Sequence, residues 1–497
     1  MSLRTLTAIT LATALGGCAS AGVELSGGDM GVDPVLGQTI IFVGTDSTTL
    51  ETNIYQVQAV STADSATAGL DGAPAALDAD DFDVTPLTDF LIGPESPVQD
   101  DGDGLLPAYA PFALPNRLGT RVAVIATGMD VDQVPIGRTA VLDLATRGMD
   151  LAPDVPGLRA VRFTWLGDHL LFETDDPDLG PQLSFMAFPL DAEAEPTPVL
   201  VPEVQTVEFA GLVPGTNTFL VTAVQYDGLT AVLSVDPDTA EVRLLVEGAP
   251  GSFTDFALAP QPGLLSATRR APDTGRRDIV VAGWSDGDTA PSTWTVMTAA
   301  LDSSCFDSAW SPAPLEDEDQ RLAYICEDSF TGRPDLLLWE GAAVPAGSTA
   351  PDMEVLTGGA QTAVPDGSMD GLVVRSRLQW DPSGRIVVFG GSSADDAFNS
   401  EAMTLLAVDI DEQRAVPVYD GDDGIADLAH FSSAAPDPVL LVWDRSSSGV
   451  ADSAGRHAIQ LVAADPSGSR TVRGVSLGQD LLVAYPLFLG GNSLFYP

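Results

Sequence analysis

The stretch LQWDPSGRIVVFGG, Leu378 to Gly391, decides how this chain is read. Pro382-Ser383-Gly384 supplies the residues a tight turn needs, since proline presets one backbone angle and glycine tolerates a left-handed one. Trp380 stands before that turn, and Ile386-Val387-Val388-Phe389 after it is a β-branched and aromatic run suited to a strand. The outline strand, turn, strand then recurs. It is seen in FALPNRLGTRVAVIATG (Phe112–Gly128), FTWLGDHLLFETDD (Phe163–Asp176), FAGLVPGTNTFLVTA (Phe209–Ala223), FALAPQPGLLSAT (Phe256–Thr268), AWSPAPLEDEDQRLAYIC (Ala309–Cys326) and HFSSAAPDPVLLVWD (His430–Asp444).

Most copies are followed by a polar loop and another apolar strand, as in RDIVVAGW (Arg277–Trp284) and MTLLAVDI (Met403–Ile410). A weaker, more polar strand comes next, as in AEVRLLVEG (Ala240–Gly248). The repeating unit is thus a four-stranded antiparallel meander every ~45–65 residues, the spacing of propeller blades. Inner strands that are apolar on both faces suit sheets stacked against two neighbours, while an outermost edge strand tolerates charge and proline. Helical periodicity is nowhere sustained. Eight such strand pairs are counted. Gly37–Asp46 lacks a first strand of its own, and the C-terminal segment Tyr485–Pro497 is placed to supply it. The expected fold is all-β, a single propeller over residues 37–497 with eight blades, seven being the alternative.

Two copies carry a resemblance. Trp380–Phe389 (WDPSGRIVVF) and Trp310–Tyr324, which opens WSP and closes QRLAY, resemble the F-S-P-D-G-x-x-I-A-F repeat of TolB-type, WD40-like propellers. The strands TGRRDIVVAGW (Thr274–Trp284) and TGRPDLLLWE (Thr331–Glu340) resemble the strand that follows it in that family. The resemblance implies a scaffold more than an activity.

Charge narrows the function. There are 71 acidic residues against 22 basic ones, a formal net of −49. Lysine is absent, so every base is arginine, and the acids divide into 54 Asp and 17 Glu. A surface this acidic repels phosphate backbones, which excludes nucleic acid as the expected partner. Without lysine no Schiff base, GK[ST] phosphate loop or SxxK site can be built.

Residues 1–17 read as an export signal. Arg4 precedes a weakly apolar run, Thr5–Gly17, too short for the ~20 residues that span a bilayer. The run ends Leu15-Gly16-Gly17-Cys18, which resembles the bacterial lipoprotein lipobox. That resemblance implies cleavage before Cys18 and acylation of its sulfur, with residues 18–36 as a flexible tether. No Asp follows Cys18, so an outer-membrane rather than inner-membrane destination is expected, facing the periplasm or the cell surface.

The other two cysteines, Cys305 and Cys326, flank one predicted hairpin. A hairpin centred between Leu315 and Glu316 sets them directly opposite, close enough for a disulfide in an oxidising compartment.

Candidate chemistry is sparse. Gly474-Val475-Ser476-Leu477-Gly478 matches G-x-S-x-G, but no histidine follows it to complete a nucleophile elbow. His169, His430 and His457 lack metal-ligand spacing. Asp100, Asp101 and Asp103 in DDGDGL resemble part of a thrombospondin-type calcium loop, and Asp420–Asp427 is a looser relative. Calcium at the first of these is the one cofactor considered. Arg269, Arg270, Arg276 and Arg277 crowd into nine residues of one predicted loop, with Arg333 in the equivalent loop of the next blade. Such a patch can clamp a carboxylate, a phosphate or an acidic partner segment, or can pair with nearby aspartates.

The expectation at this stage is a non-catalytic, membrane-anchored, monomeric propeller that binds a protein, peptide or glycan at the cell envelope. Two alternatives stand beside it. One is an assembly factor similar to the eight-bladed lipoprotein of the outer-membrane barrel-assembly machinery. The other is a propeller enzyme, hydrolase or lyase, with a central-channel site.

Overall fold

The computed structural model describes 33 strands between Thr39 and Phe488 with their adjoining turn residues, and the structural statements below concern those residues. The chain divides into Met1–Asp33, which lies outside them, and Pro34–Pro497, which holds every described strand.

Eight small antiparallel sheets account for the strands: I (Thr39–Pro86 with Leu481–Phe488), II (Phe112–Leu151), III (Ala160–Val199), IV (Val204–Gly248), V (Phe253–Val296), VI (Ser303–Val355), VII (Leu372–Asp420) and VIII (Ala426–Gly474). Sheets II to VI and VIII are four-stranded meanders in sequence order. Sheet VII begins in two pieces, Leu372–Val374 and Gln379–Trp380, which both pair with Ile386–Ser393. Sheet I draws one strand from the far end of the chain: Leu481–Phe488 pairs antiparallel with Thr39–Asp46, from Asp46↔Leu481 to Ile40↔Phe488. The strand missing before Gly37 is therefore supplied by the C-terminal segment, slightly earlier than its sequence suggests.

Burial explains the apolar runs. In sheet IV, Thr230–Asp236 is buried at every position but the last, whereas the fourth strand, Glu241–Gly248, is largely open and leaves Leu244 50% exposed. The middle strands of sheets I, V and VI are covered on both faces by neighbouring sheets. Ile41, Val43 and Ile54 of sheet I pack with Val122 and Leu142 of sheet II. Leu220 and Val232 of sheet IV meet Leu265, Ala267 and Val280 of sheet V. Leu264 and Ile279 of sheet V meet Tyr324 and Trp339 of sheet VI, and Ile325 and Leu338 of sheet VI meet Trp380, Val387 and Phe389 of sheet VII. Leu441, Ile459 and Leu461 of sheet VIII pack with Phe42 and Tyr55 of sheet I.

Polar bonds tie neighbouring sheets at repeating positions. Trp310 Nε1 of sheet VI donates to the Ala257 carbonyl of sheet V at 3.2 Å. Trp380 Nε1 of sheet VII donates to the Ala309 carbonyl of sheet VI at 2.9 Å. Arg321 of sheet VI pairs with Glu340 at 2.7 Å, and its other nitrogens reach the Gly384 carbonyl at 3.2 Å and Asp411 at 3.4 Å in sheet VII.

The turn at Pro382-Ser383-Gly384 is organised by Asp381, which is 2% exposed. Its carboxylate accepts the backbone N–H of Ser383 (3.1 Å), Arg385 (2.8 Å) and Ile386 (2.6 Å), and the Ser383 hydroxyl as well. Gly384 sits at φ 73°, a left-handed conformation open to glycine without steric cost. Cys305 and Cys326 lie directly opposite in the first hairpin of sheet VI and form a disulfide, as the spacing predicted.

Candidate functional site

The arginine-rich segment is the end of a hairpin in sheet V. Gly263–Arg270 pairs with Arg277–Trp284 from Gly263↔Trp284 to Arg270↔Arg277. Ala271 N–H donates to the Arg276 carbonyl at 2.7 Å, and Gly275, at φ 69°, closes the turn by donating to Ala271 at 2.8 Å. Strand alternation then separates what the sequence groups as one patch. Leu265 and Ala267 pack on sheet IV, so Arg269 shares that face, while Leu264 packs toward sheet VI and Arg270 shares that one.

Two of the four arginines are spent on the protein itself. Arg276 donates to the Leu301 carbonyl at 2.6 Å and pairs with the buried Asp278 at 3.1 Å. Asp278 also accepts the Thr298 hydroxyl at 3.1 Å. Arg277 reaches Ser304 Oγ at 3.4 Å and Glu327 at 3.9 Å, and its guanidinium lies 4.1 Å over the Phe306 ring.

Arg269 differs. Its cross-strand neighbours are Phe253 and Asp278, and Asp278 is already engaged by Arg276 and Thr298. The Arg269 Nε, like the Arg276 Nε, is buried without a hydrogen-bond partner, but Arg269, unlike Arg276, makes no ion pair among the described residues. Arg270 is exposed, and its side chain makes no hydrogen bond or ion pair among the described residues.

Next to Arg269 runs the first strand of sheet V, Phe253–Leu258, in which the pairing slips between Thr254 and Ala257. Asp255 occupies the bulge at φ 51°, in the left-handed region that aspartate visits more readily than most residues. It is exposed, and among the described residues its carboxylate accepts only the Thr254 hydroxyl, at 3.0 Å. Sheet VI repeats the device at Asp307, φ 56°, between Phe306 and Ala309, but there the carboxylate accepts the Leu378 N–H of sheet VII at 2.9 Å. Asp427 falls in the corresponding slip of sheet VIII, between Ala426 and Ala429. Sequence reasoning passed over these bulges. The signal was a recurring x-D-x-A in TDFA, FDSA and ADLA, hard to see among 54 aspartates.

An aromatic group completes the neighbourhood. Phe253 stacks near Phe256 (5.9 Å between centroids) and meets Trp294 at 5.5 Å, while Phe256 and Trp294 meet edge-on at 6.4 Å.

Other sequence candidates fall elsewhere. His169 starts the second strand of sheet III, opposite Leu166 and Ala187, and His430 pairs with Leu441 in sheet VIII. Cys18, Arg333, His457, Ser476 and the candidate calcium residues Asp100, Asp101 and Asp103 lie outside the described residues. Among the described residues no group of three or more His, Cys, Asp or Glu side chains is arranged to hold a metal ion. No described helix is long and apolar enough to cross a membrane.

No protein family matches the chain, and no curated protein does. Solved structures do match in fold. An oligogalacturonate lyase in complex with manganese is 14% identical, with a TM-score of 0.44 over 71% of this chain and 88% of that one. A prolyl endopeptidase structure is 11% identical, with a TM-score of 0.45 over 84% of this chain and 56% of that one. The β-propeller domain of the Trilobed protease from Pyrococcus furiosus is 10% identical, with a TM-score of 0.41 over 75% and 95%.

The chain has a β-propeller-like, all-β fold of the kind found in several propeller enzymes. At these identities the likeness is one of fold alone, and it does not single out the TolB type. It also corrects one expectation. The chain was expected to be non-catalytic, yet the solved structures it is similar to include a lyase and peptidases. A propeller fixes its strands and leaves loops and strand ends free to carry chemistry, so the scaffold gives no ground for excluding catalysis.

Proposed function

We propose that the chain is an eight-bladed propeller enzyme of the hydrolase or lyase class, held at the cell envelope by a lipid on Cys18 and acting on an anionic substrate at sheet V. The observation that carries this reading is the pair Arg269 and Asp255. On adjacent strands of one sheet, a guanidinium and a carboxylate both lack an ionic partner among the described residues, in a chain rich enough in charge to have supplied one. An uncommitted guanidinium can bind a substrate carboxylate or phosphate. An uncommitted, exposed carboxylate can take or return a proton in hydrolysis or elimination. The left-handed backbone at Asp255 fits this role, because strain of that kind clusters where function holds it in place.

Eight sheets, the pairing of Leu481–Phe488 with Thr39–Asp46 and the packing of sheet VIII on sheet I support the closed, eight-bladed reading. In such a ring the first strands line the channel, which puts Asp255 beside it. The envelope address rests on the lipobox-like Leu15-Gly16-Gly17-Cys18.

The test is turnover of acidic oligosaccharides and acidic peptides, with cleavage followed by new reducing ends, unsaturated products or new amines. Asp255→Asn is expected to abolish turnover while leaving substrate binding, and Arg269→Ala to raise KM. Turnover unchanged in Asp255→Asn would overturn the assignment. Acyl labelling that survives Cys18→Ala would overturn the anchor.

A further inference from the structure

We infer that the sheet V site takes a carboxylate carried on a ring, the carboxylate bonding Arg269 and the ring face lying on Phe253 and Trp294; this rests on the reading of Arg269 given above. Three observations converge on it. Arg269 Nε is buried with no acceptor among the described residues, and the one acid opposite it, Asp278, is engaged by Arg276 and Thr298, which leaves the guanidinium open to an acceptor brought by a ligand. The residue opposite Arg269 on its other side is Phe253, whose ring belongs to the Phe253–Phe256–Trp294 cluster. Phe256 is buried, but Phe253 and Trp294 are only partly so and keep surface to offer.

The third observation is Ser252. Its hydroxyl is buried without a partner, and its carbonyl accepts the Arg270 N–H at 2.9 Å, which fixes it at the start of the same strand pair. A guanidinium, two partly buried aromatic rings brought together in sheet V and an unsatisfied hydroxyl make a site with one charged anchor and one apolar wall. Ligand sites have this make-up, mostly apolar lining with a few placed polar groups. A small acid such as acetate would satisfy the anchor and leave the wall unused. A phosphate would do the same. A carboxylate on a six-membered ring uses both, whether the ring is a sugar acid or an aromatic acid.

The experiment is titration calorimetry on the full chain with four probes: a uronic-acid trisaccharide, benzoate, acetate and a neutral glucose trisaccharide. Both ring carboxylates are expected to bind at least about tenfold more tightly than acetate, and the neutral sugar not to bind. Arg269→Ala should weaken both ring acids by about tenfold or more, the loss of charge-assisted hydrogen bonds. Phe253→Leu and Trp294→Leu should each weaken the ring acids about three- to tenfold and leave acetate unchanged. Near-ultraviolet circular dichroism on each variant separates loss of the wall from loss of the fold. The uronate and benzoate arms distinguish a sugar acid from an aromatic acid. Equal affinity for ring acids and acetate, or binding indifferent to Phe253 and Trp294, would overturn the inference. Ring-acid binding without turnover of any acidic substrate would sink the enzymatic reading and leave this one standing. Turnover that depends on Asp255 but not on the aromatic wall would do the reverse.

Discussion

Replacing Asp381 by alanine should be among the most damaging changes outside the apolar core. The carboxylate is buried and accepts three backbone N–H groups and one hydroxyl across the turn that joins Trp380 to Ile386. Ile386 is only 5% exposed, so its N–H would lose that acceptor where water does not readily replace it, a loss of roughly 1–3 kcal/mol. The N–H groups of Ser383 and Arg385 sit on exposed residues and can turn to water, at about 1 kcal/mol each. The sum is about 3–5 kcal/mol, a large fraction of the margin of a typical domain. Equilibrium urea unfolding measures it, with hydrogen exchange at Ile386 as the local readout. Ser383→Ala removes the exposed hydroxyl alone and should cost less than about 1 kcal/mol. If Asp381→Ala costs no more than Ser383→Ala, or if Ile386 exchange is unchanged, the carboxylate is not what holds this turn.

Two further outcomes follow from the contacts between strands and sheets. The Cys305–Cys326 bridge closes a loop with a sequence separation of 21, so replacing both cysteines by alanine should lower stability by about 3 kcal/mol, read as a shift in the urea midpoint that reductant reproduces on the native chain. Trp310→Phe and Trp380→Phe keep most of the ring but delete the indole bonds to Ala257 and Ala309, and each should cost about 1 kcal/mol by thermal unfolding. A destabilised Trp380 variant beside an unaffected Trp310 variant would mean that the repeating bond is not a repeating source of stability.

Much of the architecture was legible because burial on two faces leaves a continuous apolar run in the sequence. Ile386–Phe389, Ile279–Trp284 and Leu336–Trp339 are such runs, and each proves to be a middle strand. The disulfide was legible because antiparallel register places two cysteines opposite one another with no long-range information. The site was not. Its aromatic wall joins Phe253 to Trp294 across a hairpin and a connection, a proximity that no local pattern encodes. The four arginines read as one patch because sequence counts proximity along the chain, whereas alternation along a strand sends Arg269 and Arg270 to different neighbours. The bulge at Asp255 escaped notice because one slipped residue changes register without changing composition.

The turn that opens sheet VII shows why the repeated motif is scaffold and where function departs from it. The same backbone bond closes the corresponding turn in four consecutive sheets: Val213 to Thr218 at 2.8 Å, Ala259 to Leu264 at 3.0 Å, Ser311 to Arg321 at 2.9 Å and Asp381 to Ile386 at 2.9 Å. The side chain at that place runs through Val, Ala, Ser and Asp, so the backbone keeps the geometry and the side chain is free to vary. The bulge in the preceding strand follows the opposite rule. Asp307 and Asp255 share residue type, slip and left-handed backbone, yet Asp307 is consumed by the Leu378 N–H of the next sheet while Asp255 is left open to solvent. One carboxylate in this position stitches two sheets together. The other keeps the cost of a left-handed backbone without that bond to offset it, beside an arginine whose Nε has no acceptor among the described residues. A feature that the fold uses in one sheet and leaves uncommitted in the next is where a ligand is to be sought.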